Sequence, residues 1–351
     1  MQRQNLTAAS RQLFTRRDDE RFADLQSLYD HCRTAQSESS ERWTRLIDVQ
    51  SPPGRSLLLG VDDDRQQEAL LSMNDWSFGQ LCRLAGVAKE TVNRLTPGTA
   101  RLVLQETLPS LQKPIQVLQR GETIRSIHGP AYTRLHNLDL LNIVREFATE
   151  FVPPQAGMNG ATGLYAGEQD MFVFLIDPTG WVELEDGGKT EAFAPGLFLW
   201  NSEVGCRSVG LQTFWFQAVC QNHIVWDAVE VIDFSRKHTA NVNECLSEVR
   251  RHIESLVAKR DARRDGFARV MANAFKARLG NDAEEVAKVM AKHGIPRDLS
   301  KRALAMAREQ GRFTVFSLVD ALTRLAGEFK NAGDRLEADE KAGRLLELVK
   351  A

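Results

Sequence analysis

The chain has 351 residues, 42% hydrophobic and 26% charged, and its 45 Lys and Arg against 47 Asp and Glu leave a formal net charge of −2. These proportions exclude a disordered tail, a collagen-like fibre and a small disulfide scaffold. They exclude a uniformly basic nucleic-acid binder too, but not one whose charges are segregated along the chain.

In chain order, residues 6–47 read as helical, because Leu6, Leu13, Phe22, Leu25, Leu28 and Tyr29 recur at helical spacing among charges. Ser51-Pro52-Pro53-Gly54 breaks the chain, and a short strand is expected over 57–61. Helices follow over 78–84, with Ser77 as a possible cap, over 89–95 and over 99–108. The period then changes to two around Arg120-Gly121-Glu122, which reads as a hairpin, followed by an extended piece over 131–135. Asn137 is placed to cap an amphipathic helix over 138–151. Strands are expected over 161–166, 171–176, 180–184, 196–202 and 210–220, and helices almost throughout 242–351. Strands clustered in sequence, rather than alternating with helices, predict an α+β fold. Its expected parts are a helical region over 1–110 with a helix-turn-helix-like hairpin, an α+β core over 111–234 and a helical region over 235–351.

Cys32, Cys82, Cys206, Cys220 and Cys245 are odd in number and show no C-x-x-C spacing, which reads as reduced thiols in a cytoplasm. The first residues are polar, without the apolar core of a signal peptide, and the longest apolar run, 171–176, is strand-sized. A cytoplasmic protein with no membrane partner is expected.

The near-neutral total hides two blocks. Residues 160–205 hold eight carboxylates against Lys189 alone, about −7, whereas 235–280 hold eleven Lys and Arg against five acids, +6. Basic pairs recur along one expected helix: Arg250-Arg251, Lys259-Arg260 and Arg263-Arg264. Such a helix can follow a phosphate backbone, or it can pack beside the acidic block.

The hairpin of residues 81–95 has an Ala-Gly turn and would present Lys89, Glu90, Asn93 and Arg94 to a major groove, if it is more than an ordinary helical hairpin. A second such turn, Lys292-His293-Gly294-Ile295-Pro296, points to hairpins used for packing. Cys220 and His223 lie on opposite faces of an extended strand and lack the further ligands of a zinc site. Glu183 and Glu185 share a strand face and could hold Mg²⁺, or could simply edge an exposed hairpin with Asp186. Motifs of P-loop, Rossmann, HExxH and GxSxG type are absent, so neither a cofactor nor a resident metal is expected. Phe214 and Phe216 share one strand face and Trp215 takes the other, as a two-sided core or as a stacking platform for bases.

Three segments carry a resemblance. They are 125–141 (RSIHGPAYTRLHNLDLL), 196–205 (GLFLWNSEVG) running on to 216–223 (FQAVCQNH), and 313–323 (FTVFSLVDALT) with 342–346 (AGRLL). Together they resemble the phage- and plasmid-related family of domain of unknown function 932, over roughly residues 75–351. Gln217 stands where that pattern leads one to expect arginine. The resemblance implies a mobile-element origin and supplies no reaction. Hairpin, third strand, then helix is also an order similar to that of phage single-strand annealing proteins, at the level of fold analogy only.

The expectation is therefore a non-enzymatic nucleic-acid-binding protein, for single-stranded DNA and its recombination, that self-associates. Its phosphate contacts would be Arg120, Arg125, Arg134, Arg250, Arg251, Lys259, Arg260, Arg263 and Arg264, with Tyr132 and Trp215 stacking on bases. The alternatives are a metal-dependent enzyme built on Glu183 and Glu185, and a structural partner-binding protein of a mobile element.

Overall fold

A computed structural model describes residues 20–45, 47–53, 56–62, 68–110, 113–154, 163–186, 188–217, 222–224, 233–239, 242–309, 313–327 and 332–349. The fold is α+β, and its described strands form two sheets.

Helix α1 (Leu25–Ser37) starts where Asp24 and Ser27 cap one another reciprocally, and it buries Leu28, Cys32 and Ala35 along one face. It ends well before residue 47. The polar segment after it becomes strand β1 (Ser39–Thr44), then β2 (Ile47–Gln50). Strands β3 (Leu58–Asp62) and β4 (Glu68–Met73) follow, then β5 (Ile115–Arg120) and β6 (Thr123–His128). These six make one sheet in the order β1-β5-β6-β4-β3-β2, antiparallel except for the β4–β6 pair. Gly121, at φ 56°, makes the expected tight turn between β5 and β6. A boundary at residue 110 would cut this sheet in two, so the N-terminal part is not a separate helical region.

Helices α2 (Asp75–Leu84), α3 (Lys89–Val92) and α4 (Pro97–Thr107) cover this sheet through Leu81, Cys82, Val92, Ala100 and Leu104. Asn74, not Ser77, caps α2 by accepting the Ser77 N–H at 2.8 Å. Helix α3 is one turn long and tied to α2 by a Lys89–Asp75 ion pair. A single turn cannot lie along a groove, so the helix-turn-helix expectation over 81–95 is corrected to a packing hairpin.

The second sheet comprises β7 (Leu164–Ala166), β8 (Met171–Ile176), β9 (Val182–Asp186), β10 (Lys189–Asn201), β11 (Val209–Gln217), β12 (Asn222–Ile224) and β13 (Asp233–Arg236). Its order is β12-β11-β10-β8-β7, with β13 also on β11 and β9 on β10. Strands β8 and β9 share one edge of β10 end to end. Pro195 sits at that junction, where its missing N–H leaves no ladder bond unmade.

Alternation along β8 explains its two-sided burial. Met171, Val173 and Leu175 face α1, α5 (Asn137–Phe147) and α6 (Val242–Ala258). Phe172, Phe174 and Ile176 join Phe198, Trp200, Phe214 and Phe216 on the other face. Asn137 does not cap α5; His136 occupies that position, and Asn137 Oδ1 instead accepts from Asn201 Nδ2 at 2.8 Å.

The remaining helices are α7 (Arg260–Ala274), α8 (Ala283–Lys292), α9 (Arg297–Glu309), α10 (Val315–Gly327) and α11 (Ala332–Arg344). They pack on Phe193, Trp215 and Ile224 of the second sheet and share its core. No described helix is long and apolar enough to cross a membrane.

Candidate nucleic-acid interface

Six of the nine cations singled out in the sequence are ion-paired within the chain, those of Arg120, Arg250 and Arg264 at its surface. Arg120 pairs with Glu38 at 2.8 Å. Arg125, on β6, is 6% exposed and pairs with buried Glu203 at 3.0 Å. The side chain of Arg134 is 3% exposed and is held by Glu41 at 3.0 Å, by Gln116 Oε1 at 2.9 Å and by the Glu203 carbonyl. On α6 and α7, Arg250 pairs with Glu146, Arg264 with Asp261 and Asp265, and Arg260 with Asp177. Arg263 is buried. Of this group Arg251 and Lys259 project into solvent. The acidic and basic blocks of the sequence thus meet in space, as the Arg260–Asp177 pair shows.

Trp215 is corrected to a core residue. It is fully buried and lies flat on Phe267, with centroids 3.9 Å apart and planes at 7°, so no face is open to a base. Glu183 and Glu185 sit on the exposed face of β9, where Glu185 accepts from Thr190 Oγ1 at 2.7 Å. Among the described residues no three His, Cys, Asp or Glu side chains are grouped to hold a metal ion. Cys220 and the His223 side chain lie outside the described residues.

Tyr132 leads to a different site. It lines a cleft of about 700 Å³ between α2 with the end of β6 on one wall, and the 205–208 and 235–239 segments on the other. The cleft brings together Arg83, Arg207 and Lys237, and no Asp or Glu is among its described lining residues. Arg83 and Lys237 are exposed, whereas Arg207 is tied to buried Asp170 at 2.6 Å. Half-buried Trp76 lies below the Arg83 guanidinium, 5.8 Å from it, and donates its Nε1–H to the Val204 carbonyl at 2.9 Å.

The floor is a cluster of three rings. His128 stacks on Tyr132 at 3.6 Å and 7°, and the His238 ring stands 5.4 Å from Tyr132 at 23°. The Tyr132 hydroxyl donates to the Glu203 carbonyl at 2.9 Å. Gly205, at φ 73°, permits the close approach of this cluster; a Cβ there would stand 2.6 Å from His128 Cε1. His128 Nε2 bonds the Val204 carbonyl at 3.0 Å, and since a carbonyl only accepts, the ring carries its proton on Nε2.

Burial, with the Arg134 charge behind it, pushes the His128 and His238 imidazoles down to about 4, so both are neutral at pH 7. His238 is 7% exposed and both of its ring nitrogens are enclosed, and a hydrogen bond to the Thr133 backbone partly offsets the burial that lowers it, so it belongs to the floor beneath the cleft and not to its open surface.

Sequence reading found Tyr132 and missed Trp76, Arg83, His128, Arg207, Lys237 and His238. The one local signal was the His128-Gly129-Pro130-Ala131-Tyr132 run, which puts a turn between two rings.

No curated protein and no solved structure matches the chain. The profile of a domain of unknown function, DUF932, matches residues 126–327, a narrower span than the sequence segments alone indicated. That span runs from β6 to α10 and supplies one wall and the floor of the cleft, while Trp76 and Arg83 come from outside it. Covering more than half of the 351 residues, the match makes this chain a member of the DUF932 family.

Proposed function

We propose that this protein binds single-stranded nucleic acid through the cleft, in the service of a phage or plasmid. An unpaired base lodges against Trp76 and the edge of the ring cluster. The flanking phosphates lie along Arg83 and Lys237. The observation that carries this reading is a cleft whose described lining brings cations and aromatic rings together with no carboxylate. A base has both a π-face and edge groups, and in a single strand both are free to meet the rings and cations of the cleft. The mobile-element setting rests on the sequence resemblance alone.

Titration of labelled oligothymidylate tests it. Binding weakens as salt rises, and the Arg83→Ala/Lys237→Ala variant loses affinity and flattens the log–log salt slope by about 1.4. Trp76→Ala costs a further ~1–3 kcal/mol of binding. No binding at low salt, or binding indifferent to these changes, would overturn the reading.

A further inference from the structure

We infer that α9 is a second nucleic-acid contact, for duplex DNA, separate from the cleft. Helices α8 and α9 are joined by His293–Pro296, in which Gly294 adopts φ 75°. The Ile295 N–H closes back on the Met290 carbonyl at 3.0 Å, which ends α8 sharply and sets α9 on a new course. Helix α9 is 13 residues long, where α3 has four. Its inner face, Leu299, Ala303 and Ala307, is buried with Val286 and Met290 of α8 and with Leu318 and Leu322 of α10. A long helix mounted on a shorter one through a glycine turn and braced by a third is the arrangement that presents a helix to a major groove.

The outer face carries the charge. Arg297, Lys301 and Arg308 are all exposed. At about 100° per residue they fall within roughly 40° of one another, on the side opposite the buried residues, and span about 16 Å of helix. Among the described residues none of the three has a hydrogen-bond or ion-pair partner, unlike the paired arginines of α6 and α7. Exposed Lys292 extends the positive surface at the turn, and Asp298 and Glu309 are the acids on α9's exposed flanks. A stripe of unpaired cations along the outer face of a helix is complementary to phosphates on both sides of a groove. B-form DNA admits a helix in its major groove, whereas the deep, narrow groove of A-form RNA does not.

Anisotropy titrations on the full chain decide it, with labelled DNA duplex, RNA duplex and single strand between about 50 mM and about 200 mM salt. The Arg297→Ala/Lys301→Ala/Arg308→Ala variant is expected to bind DNA duplex at least about tenfold more weakly and to flatten its salt slope by about 3. It keeps the wild-type melting transition and full single-strand affinity. The Arg297→Lys/Arg308→Lys variant retains duplex binding. The cleft variant Arg83→Ala/Lys237→Ala shows the reverse pattern, so failure of the cleft reading and failure of this one are told apart. No duplex binding at the lowest salt, duplex affinity unmoved by the triple variant, or equal affinity for RNA duplex would each overturn the inference.

Discussion

Replacing Arg134 with alanine is expected to lower the unfolding free energy by about 3–5 kcal/mol, an effect on folding rather than on phosphate binding. The guanidinium is enclosed, and it satisfies at once the Glu41 carboxylate, Gln116 Oε1 and the Glu203 main-chain carbonyl. It also lies 5.3 Å over the Tyr132 ring, so it braces the cluster that floors the cleft. Truncation leaves a buried acceptor and a half-buried carboxylate without their donor, and that desolvation loss sets the size of the effect. Urea denaturation measures it. Arg251→Ala and Lys259→Ala, on exposed side chains, are expected to stay within about 0.5 kcal/mol of wild type. Equal effects at Arg134 and Arg251 would contradict the assignment of Arg134 to the interior.

The second large effect is acid sensitivity. His128 and His238 are held in the fold at about 4, below the ordinary 6.5 of an exposed imidazole. The unfolded chain therefore binds more protons than the folded one between those values. Stability from this source is complete above pH 6.5 and is lost as pH falls towards 4, by about 3 kcal/mol for each ring. Glu203 continues the decline. Burial alone would raise its carboxyl, but the His136 imidazole, Arg125 and the Asn137 N–H outweigh burial and hold it down to about 2. Its contribution is present above pH 4.5 and is lost between there and 2. Urea midpoints between pH 7 and pH 4 are expected to fall steeply, and His128→Gln/His238→Gln to remove about two protons from that dependence. A double variant as acid-sensitive as wild type would show that neither ring is buried neutral.

The sequence was most informative where a pattern stays local. The apolar run Met171 to Ile176 predicted a strand, and Arg120-Gly121-Glu122 marked the hairpin. The opposite facing of Trp215 and Phe216 followed from period two. Strands β1 and β4 were illegible because Ser39–Thr44 and Glu68–Met73 lack strong strand propensity and owe their extended form to partners, for β1 the distant Ile115–Arg120. The same separation hid the cleft. Trp76, His128, Arg207 and His238 are spread over more than 150 positions, and only the folded chain, which brings α2 and the end of β6 beside the 205–208 and 235–239 segments, makes them neighbours. Basic pairs misled for a related reason. Adjacent arginines on a helix point in different directions, and their carboxylate partners, such as Glu146 and Asp177, come from other elements.

The account stands most directly on the placing of the base beside Trp76. Nitrogen-15 NMR of tryptophan-labelled protein, titrated with oligothymidylate at pH 7, observes the Trp76 indole N–H itself. Its resonance is expected to shift on saturation, the shift disappearing in Arg83→Ala/Lys237→Ala at the same oligonucleotide concentration. A Trp76 resonance unchanged while the oligonucleotide is bound would contradict the placing of the base in this cleft.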